Sequence, residues 1–439
     1  MTSRNDASGP AGLRPSPVSP GADDRAVSPS RRTIGIGALF LLLAGTLAIG
    51  HAIKTPCVHG DWSDGRPFTW LCHTDIIPLL GNEQLYGDRL PYLEPCEQTE
   101  GTCDEYPVLT IWMMRLTASV AGPHNTRFFY ANAILLWLAA LWTAYLLYTV
   151  VGRRALYFAL APTLAIYGTL NLDLLPVALA TGGTVAYLRR RDITSGVLLG
   201  LGAAAKLYPA LLVIPFVVGR FRGREPDRGI YLVWAAVGAW IAVNLPFALA
   251  GTSGWLEFFS YNAFRPADWD SLWFIACEQA TGMGCTNTRL VNLGSLVLFL
   301  GWLAIVWTIK GRRQPGFARW TLGFPILVIF LLTNKVYSPQ YSVWLLPWFA
   351  LALPHLRLFL AFEAADMAVF VTRFSWFGLL GGHHNGFAGS PLGAFEVAIL
   401  VRAAVLVVCV IAWIRAGEPI PRVERPPPDR TDARVEVPV

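Results

Sequence analysis

Two acidic positions and two lysine turns are where side-chain type and spacing in this chain could do chemistry. Asp75 stands in Trp70-Leu71-Cys72-His73-Thr74-Asp75-Ile76-Ile77-Pro78, a carboxylate among apolar neighbours. Such a group can take a proton from a hydroxyl nucleophile, and partial burial is expected to raise its pKa toward the working pH. The competing reading is a helix N-cap, because Thr74-Asp75 precedes an apolar stretch. Asp104-Glu105, just before Tyr106-Pro107, reads as a second acidic centre or, more plainly, as a solvated pair ahead of a helix. Glu105 is kept as a candidate substrate-binding residue.

Lys206-Leu207-Tyr208-Pro209 and Lys335-Val336-Tyr337-Ser338-Pro339-Gln340 share one local setting, a lysine followed by Tyr and Pro within four residues. Two cations at a lipid interface suit an anionic group carried on a lipid, such as a phosphate or diphosphate, with Tyr208 and Tyr337 packing on the chain or sugar and Gln340 beside them. Snorkelling of lysines toward water is the plainer alternative. His383-His384-Asn385, between Gly382 and Gly386, can bind the same phosphate or a sugar hydroxyl, or be ordinary loop polarity.

The elements that must position these groups follow from composition. Of 439 residues, 54% are hydrophobic and only 15% charged, with 17 Trp and 24 Phe; soluble domains carry roughly 25% charge. Unbroken runs such as 34–52, 134–151 and 230–250 reach the roughly 20 residues that an apolar helix needs to cross a bilayer. They are too long and too uniform for the alternating strands of a membrane barrel. The expected fold is therefore all-α, a polytopic membrane bundle of about twelve spans across 33–415, with long outer loops at 55–127 and 251–290. Stretch 193–219 has arginines at both ends, so it must be a hairpin turning near Lys206–Pro209, where Pro disfavours helix before it. Short hairpins are also expected at 155–188, with Asn171-Leu172-Asp173 at the tip, and at 320–354. The last pair is expected at 357–373 and 394–414, with Phe374 to Leu392 outside.

The net charge of +6 is topological. Arg153-Arg154, Arg189-Arg190-Arg191, Arg220 to Arg228, Lys310 with Arg312-Arg313, Arg319 and Arg357 fill short gaps between apolar runs, as cytoplasmic loops do, and no aromatic-and-basic module indicates nucleic acid. Six of the seven cysteines fall in the two arginine-poor loops and look paired: Cys57 with Cys72, Cys96 with Cys103, Cys277 with Cys285. A metal site is the rival reading, but the spacings are far from C-x-x-C and no histidine completes a set. Disulfides place these loops outside the cytoplasm. Segments 1–32 and 416–439, rich in Pro, Ser, Asp and Arg, read as disordered cytoplasmic tails, the first not a cleavable signal. The ionisable groups at membrane depth or at hairpin tips are then Asp75, Asp104, Glu105, Lys206, Lys335, Arg373, His383 and His384, all on the cysteine side.

At Cys72-His73-Thr74-Asp75-Ile76-Ile77-Pro78, Lys206-Leu207-Tyr208-Pro209 and Lys335-Val336-Tyr337-Ser338-Pro339-Gln340-Tyr341 ahead of Trp344, the chain resembles the C-type glycosyltransferases. In particular it resembles glycosyltransferase family 87, the actinobacterial polyprenol-phosphate-mannose-dependent mannosyltransferases, over about 34 to 414. The resemblance implies inverting transfer of a sugar, mannose in that family, from a polyprenyl-phosphate donor to a lipid or glycan acceptor at the outer face of the plasma membrane. Asp75 would be the base, with no metal, cofactor or nucleotide sugar; the donor, the acceptor and membrane lipids would be the partners. One departure is the disulfide-bearing insertion Pro56 to Leu71 ahead of the acidic position. Read from the residues alone, a site for an anionic amphiphile also suits a transporter or flippase of a lipid-linked sugar. Transporters tend toward internal repeats with polar groups at the midplane, whereas here the polar groups cluster at one side.

Overall fold

The apolar runs fold as helices because lipid offers no partner to an unpaired backbone group. The computed structural model describes residues 34–60, 62–96, 103–282 and 285–417, and no strand occurs among them. The tails expected at 1–32 and 416–439 lie outside this range apart from Ala416 and Gly417. Among the described residues five helices are long and apolar enough to cross a bilayer: Ile36–Val58, Asn125–Val151 with its continuation to Ala159, Pro226–Ala250, Thr288–Arg313 and Leu392–Arg415. Helix Leu356–Leu380 is as long but carries Arg357, Glu363, Asp366 and Arg373. It runs about two turns past the expected end at Arg373, so Phe374 to Leu380 is helix rather than loop.

Shorter helices fill the bundle in pairs. The hairpin expected in 193–219 is Asp192–Ala205 followed by Pro209–Arg222. Lys206 breaks it in an extended conformation (φ −163°, ψ 138°), and Pro209 starts the second arm where its missing N–H costs nothing. Both feet meet at one end: Arg220 Nε lies 2.7 Å from Asp192 Oδ1, and Arg228 Nη1 lies 3.1 Å from Asp192 Oδ2. Close approach replaces hydrophobic drive inside a membrane. A Cβ on Gly196 or Gly200 would stand 2.3 or 2.2 Å from the carbonyl oxygens of Leu232 and Ala236 on Pro226–Ala250. The 155–188 hairpin is broken into Leu156–Ala159, Pro162–Tyr167 and Leu174–Leu188, and the 320–354 hairpin into Gly323–Thr333, a 3-10 turn at Pro339–Leu345 and Leu346–Leu351.

The long first loop is less open than expected. It holds Ile76–Asn82 and a fourteen-residue apolar helix, Val108–Ala121, whose Thr110 hydroxyl donates to the Ala205 carbonyl at 2.7 Å. The second loop carries Thr252–Phe264 and Leu272–Thr281. The cysteines pair as expected, 57 with 72, 96 with 103 and 277 with 285, and Cys409 is free and buried. These disulfides mark one end of the bundle and the arginine clusters the other.

Charge is not confined to the disulfide end, contrary to expectation. Inside the bundle, Arg402 Nη1 lies 3.2 Å from Asp366 Oδ1, which also accepts from the Ser342 hydroxyl at 2.6 Å, and all three residues are buried. Glu363 accepts from the Thr163 backbone N–H at 2.8 Å and from the Thr163 hydroxyl. Such groups survive in hydrocarbon because partners on other helices satisfy them. Their partners lie 24 to 200 residues away along the chain, so no local pattern marks them.

Candidate active site

Asp75 sits one residue before helix Ile76–Asn82, where a cap would be, but its side chain makes no capping hydrogen bond. The Thr74 hydroxyl lies 3.3 Å from the Ile76 N–H instead. The Asp75 backbone N–H donates to the Leu170 carbonyl at 2.8 Å, stitching this turn to the tip of the 155–188 hairpin. The carboxylate is then held from both sides: His73 Nε2 is 2.9 Å from Oδ1, and the Asn171 amide donates to Oδ2 at 2.9 Å. The same amide reaches the Tyr106 hydroxyl at 2.9 Å, while Asn171 Oδ1 accepts from the Leu172 N–H at 2.7 Å. About a third of the Asp75 side chain (34%) stays exposed, so the carboxylate keeps one side open.

The expected upward pKa shift is reversed. Burial raises the Asp75 carboxyl, but the hydrogen bond and charge of His73, the Asn171 amide and the charge of Arg373 together outweigh it and hold the group below its ordinary value. The carboxylate is therefore ionised at neutral pH and ready to accept a proton.

Two residues along the same tip, Asp173 brings in the first lysine turn. Lys206 Nζ lies 3.1 Å from Asp173 Oδ1 and 4.6 Å from the centre of the Tyr341 ring, with Tyr106 and Trp344 each at 6.0 Å. Asp173 Oδ1 also accepts from Trp344 Nε1 at 2.8 Å. Tyr208 stacks on Trp344 at 4.1 Å and is buried, so it packs behind the lysine turn. Asn171 and Asp173 had been placed at a hairpin tip with no role assigned. Two polar side chains at one apolar tip were the available signal.

The second lysine turn goes elsewhere. Lys335 Nζ donates to the carbonyls of Arg265 at 2.8 Å and Ala263 at 3.2 Å, and its own carbonyl accepts from the Asp268 N–H at 2.8 Å. It fastens the turn to the second loop and shares no contact with Lys206 among the described residues. Tyr337 is buried, its hydroxyl 3.1 Å from Ser342 Oγ and its ring 3.7 Å under the Arg402 guanidinium, and Gln340 is buried too. Arg373 lies between the two regions: Nη1 is 2.5 Å from Asp270 Oδ2, Nη2 is 3.9 Å from Asp268 Oδ1, and its charge acts on Asp75. Burial pushes the Asp270 carboxyl up to about 6, against the pull of Arg373.

The sequence profile of glycosyltransferase family 87 matches residues 106–333. The chain belongs to glycosyltransferase family 87. The matched span contains Tyr106, Asn171, Asp173 and Lys206 and lies between Asp75 and Lys335. A structure described as ArnT from Cupriavidus metallidurans bound to undecaprenyl phosphate aligns at TM-score 0.42 and 13% identity, covering 87% of this chain and 78% of that one. The same protein in the apo state aligns at TM-score 0.41 and 12% identity, covering 86% and 77%. No curated protein matches the sequence.

In this glycosyltransferase the remaining expected residues cover the segment leading to Asp75 or stand apart from it. His383 packs on Gly65, whose Cβ would lie 2.1 Å from the ring and whose φ of +73° favours glycine, and the Phe387 N–H donates to the Thr69 carbonyl at 2.9 Å. The 381–389 loop thus covers the segment leading to Asp75, with His384 exposed. Asp104 is not solvated: it is buried, with Oδ2 2.5 Å from Arg89 Nη2 and 3.1 Å from the Tyr92 N–H. Glu105 is half-buried and hydrogen-bonded to Tyr261. Buried Glu83 accepts from the Asp104 N–H at 2.6 Å, and burial raises its carboxyl to about 8. This second acidic cluster supports the loop.

Proposed function

We propose that this glycosyltransferase moves a sugar, mannose foremost, from a polyprenyl-phosphate donor to a hydroxyl of a lipid or glycan acceptor, with inversion and with Asp75 as general base. The observation that carries the reading is the Asp75 carboxylate itself, which makes no cap, is held at both oxygens by His73 and Asn171, and keeps about a third of its side chain exposed. The acceptor hydroxyl gives its proton to Asp75 as its oxygen attacks the anomeric carbon. The bond from that carbon to the phosphate oxygen breaks, and polyprenyl phosphate leaves as a stable anion. One carboxylate is enough, because no leaving alcohol has to be protonated as in glycosidases. Lys206, already beside Asp173 and within reach of the Asp75 charge, offers a cation for the donor phosphate. No metal or nucleotide sugar enters the scheme.

Incubation of the purified protein with radiolabelled polyprenyl-phosphate-mannose and membrane lipids should give a glycosylated lipid. Movement of label across vesicles with no new glycoside would favour a flippase instead. The disulfides and arginine clusters support placing Asp75 outside the cytoplasm. In a Cys409→Ala background, Ser253→Cys should react with an impermeant maleimide on intact cells and Arg313→Cys should not; the reverse pattern would turn the molecule over.

A further inference from the structure

We infer that His73 is a positioning residue for Asp75, donating its Nε2–H to Oδ1 so that the carboxylate is held in one orientation. The inference rests on the reading of Asp75 as base. His73 Nε2 lies 2.9 Å from Asp75 Oδ1, and His73 Nδ1 is buried with no hydrogen-bond partner among the described residues. The ring thus spends its single side-chain hydrogen bond on the carboxylate. Three aromatic rings fix its plane: Phe374 at 4.9 Å, Phe68 at 5.9 Å and Trp62 at 5.5 Å. The backbone is pinned as well. The fully buried Lys54 of the first long helix donates Nζ–H to the His73 carbonyl, and neighbouring Cys72 is bonded to Cys57 near the end of that helix.

This geometry excludes His73 as the base itself, since one ring nitrogen is taken by Asp75 and the other is closed off. It also separates His73 from a mere packing residue. Phenylalanine would satisfy the aromatic slot equally well, and only the Nε2 contact requires an imidazole. Both the neutral Nε2–H tautomer and the imidazolium donate to the carboxylate, so the orientation survives a change in His73 charge. The other groups acting on this site are Lys54 from the first helix, Arg373 from Leu356–Leu380, Lys206 from the hairpin turn, and Tyr106 with Asp173 across the tip.

The test is His73→Phe and His73→Gln, each checked for folding by yield, thermal melting and the intact Cys57–Cys72 bond. His73→Phe should lower kcat roughly tenfold to hundredfold through loss of orientation, with donor KM within about twofold. The acidic limb of its kcat/KM profile should move to higher pH, because Asp75 keeps its burial and loses its donor. The side-chain amide of His73→Gln can still donate, so that variant should recover most of the rate. Wild-type kcat and an unmoved limb in His73→Phe would overturn the inference. If His73→Phe does not fold, His73→Gln decides: retained activity with an unmoved limb supports the role, and a folded variant as slow as Asp75→Asn overturns it. Normal activity in Asp75→Asn itself would remove the base reading, whereas an inactive Asp75→Asn beside an unaffected His73→Phe would remove only the role of His73.

Discussion

The two lysine turns look alike in sequence and do different things in the fold. Lys206-Leu207-Tyr208-Pro209 closes a hairpin whose lysine meets Asp173 and the Tyr341 ring one tip away from Asp75, while Lys335-Val336-Tyr337-Ser338-Pro339 spends its lysine on two carbonyls of the second loop. The tyrosines diverge as well, Tyr208 stacking behind the lysine on Trp344 and Tyr337 turning inward beneath Arg402. A lysine at a membrane-interface turn has one charge and a long stem, and what lies within reach of that stem decides its task. For Lys206 that is the Asp173 carboxylate and the faces of Tyr341, Tyr106 and Trp344; for Lys335 it is backbone that needs donors.

The comparison sets the scale against which variants should fall. Asp75→Asn, which keeps shape but cannot take a proton, should lower turnover by about 10² to 10⁴ with donor binding and yield intact. A pure cap would show almost no effect, because Asn caps as well as Asp. Lys206→Ala should come next, raising donor KM about tenfold to hundredfold for a charge-assisted contact worth roughly 1.5 to 3 kcal/mol. Lys206→Arg should rescue only part of this, the guanidinium differing in shape and hydration. Asp173→Asn beside it would show whether the pair acts as a unit through a non-additive double-mutant cycle.

Lys335→Ala should show the opposite split, donor KM within about twofold of wild type and melting lowered by the loss of a charged donor to two carbonyls of the second loop. If it raised donor KM as far as Lys206→Ala does, the two turns would share a task and the distinction would fail. The smallest effect belongs to the supporting cluster. The Glu83 carboxyl is raised to about 8 in the fold, so the folded state holds a proton that the unfolded chain releases near the ordinary value of about 4.5. Its contribution to stability is fully present at acidic pH and is lost as pH rises toward about 8. Melting temperature should fall across that window in the wild type and fall less steeply in Glu83→Gln, with activity little changed; an equal slope would mean that Glu83 is ionised when folded.

The amino-acid sequence by itself determined the broad design. Apolar runs of bilayer length demand helices, and two arginine-flanked ends of 193–219 demand a hairpin at Lys206–Pro209. Cysteines grouped in arginine-poor loops led to the three pairings that the fold contains. Asp75 was legible too, because a carboxylate in an apolar setting is costly wherever it lies. Tertiary structure alone decided the rest. It set Asn171 and Asp173 against residues 96 and 33 positions away, reversed the direction of the Asp75 pKa through His73 and Asn171, buried Asp104, and paired Asp366 with Arg402 across two helices. The physical reason is common to all of these. Apolar length and loop charge are properties of a continuous stretch of chain, whereas the state of a buried ionisable group depends on partners that only packing brings within about 4 Å.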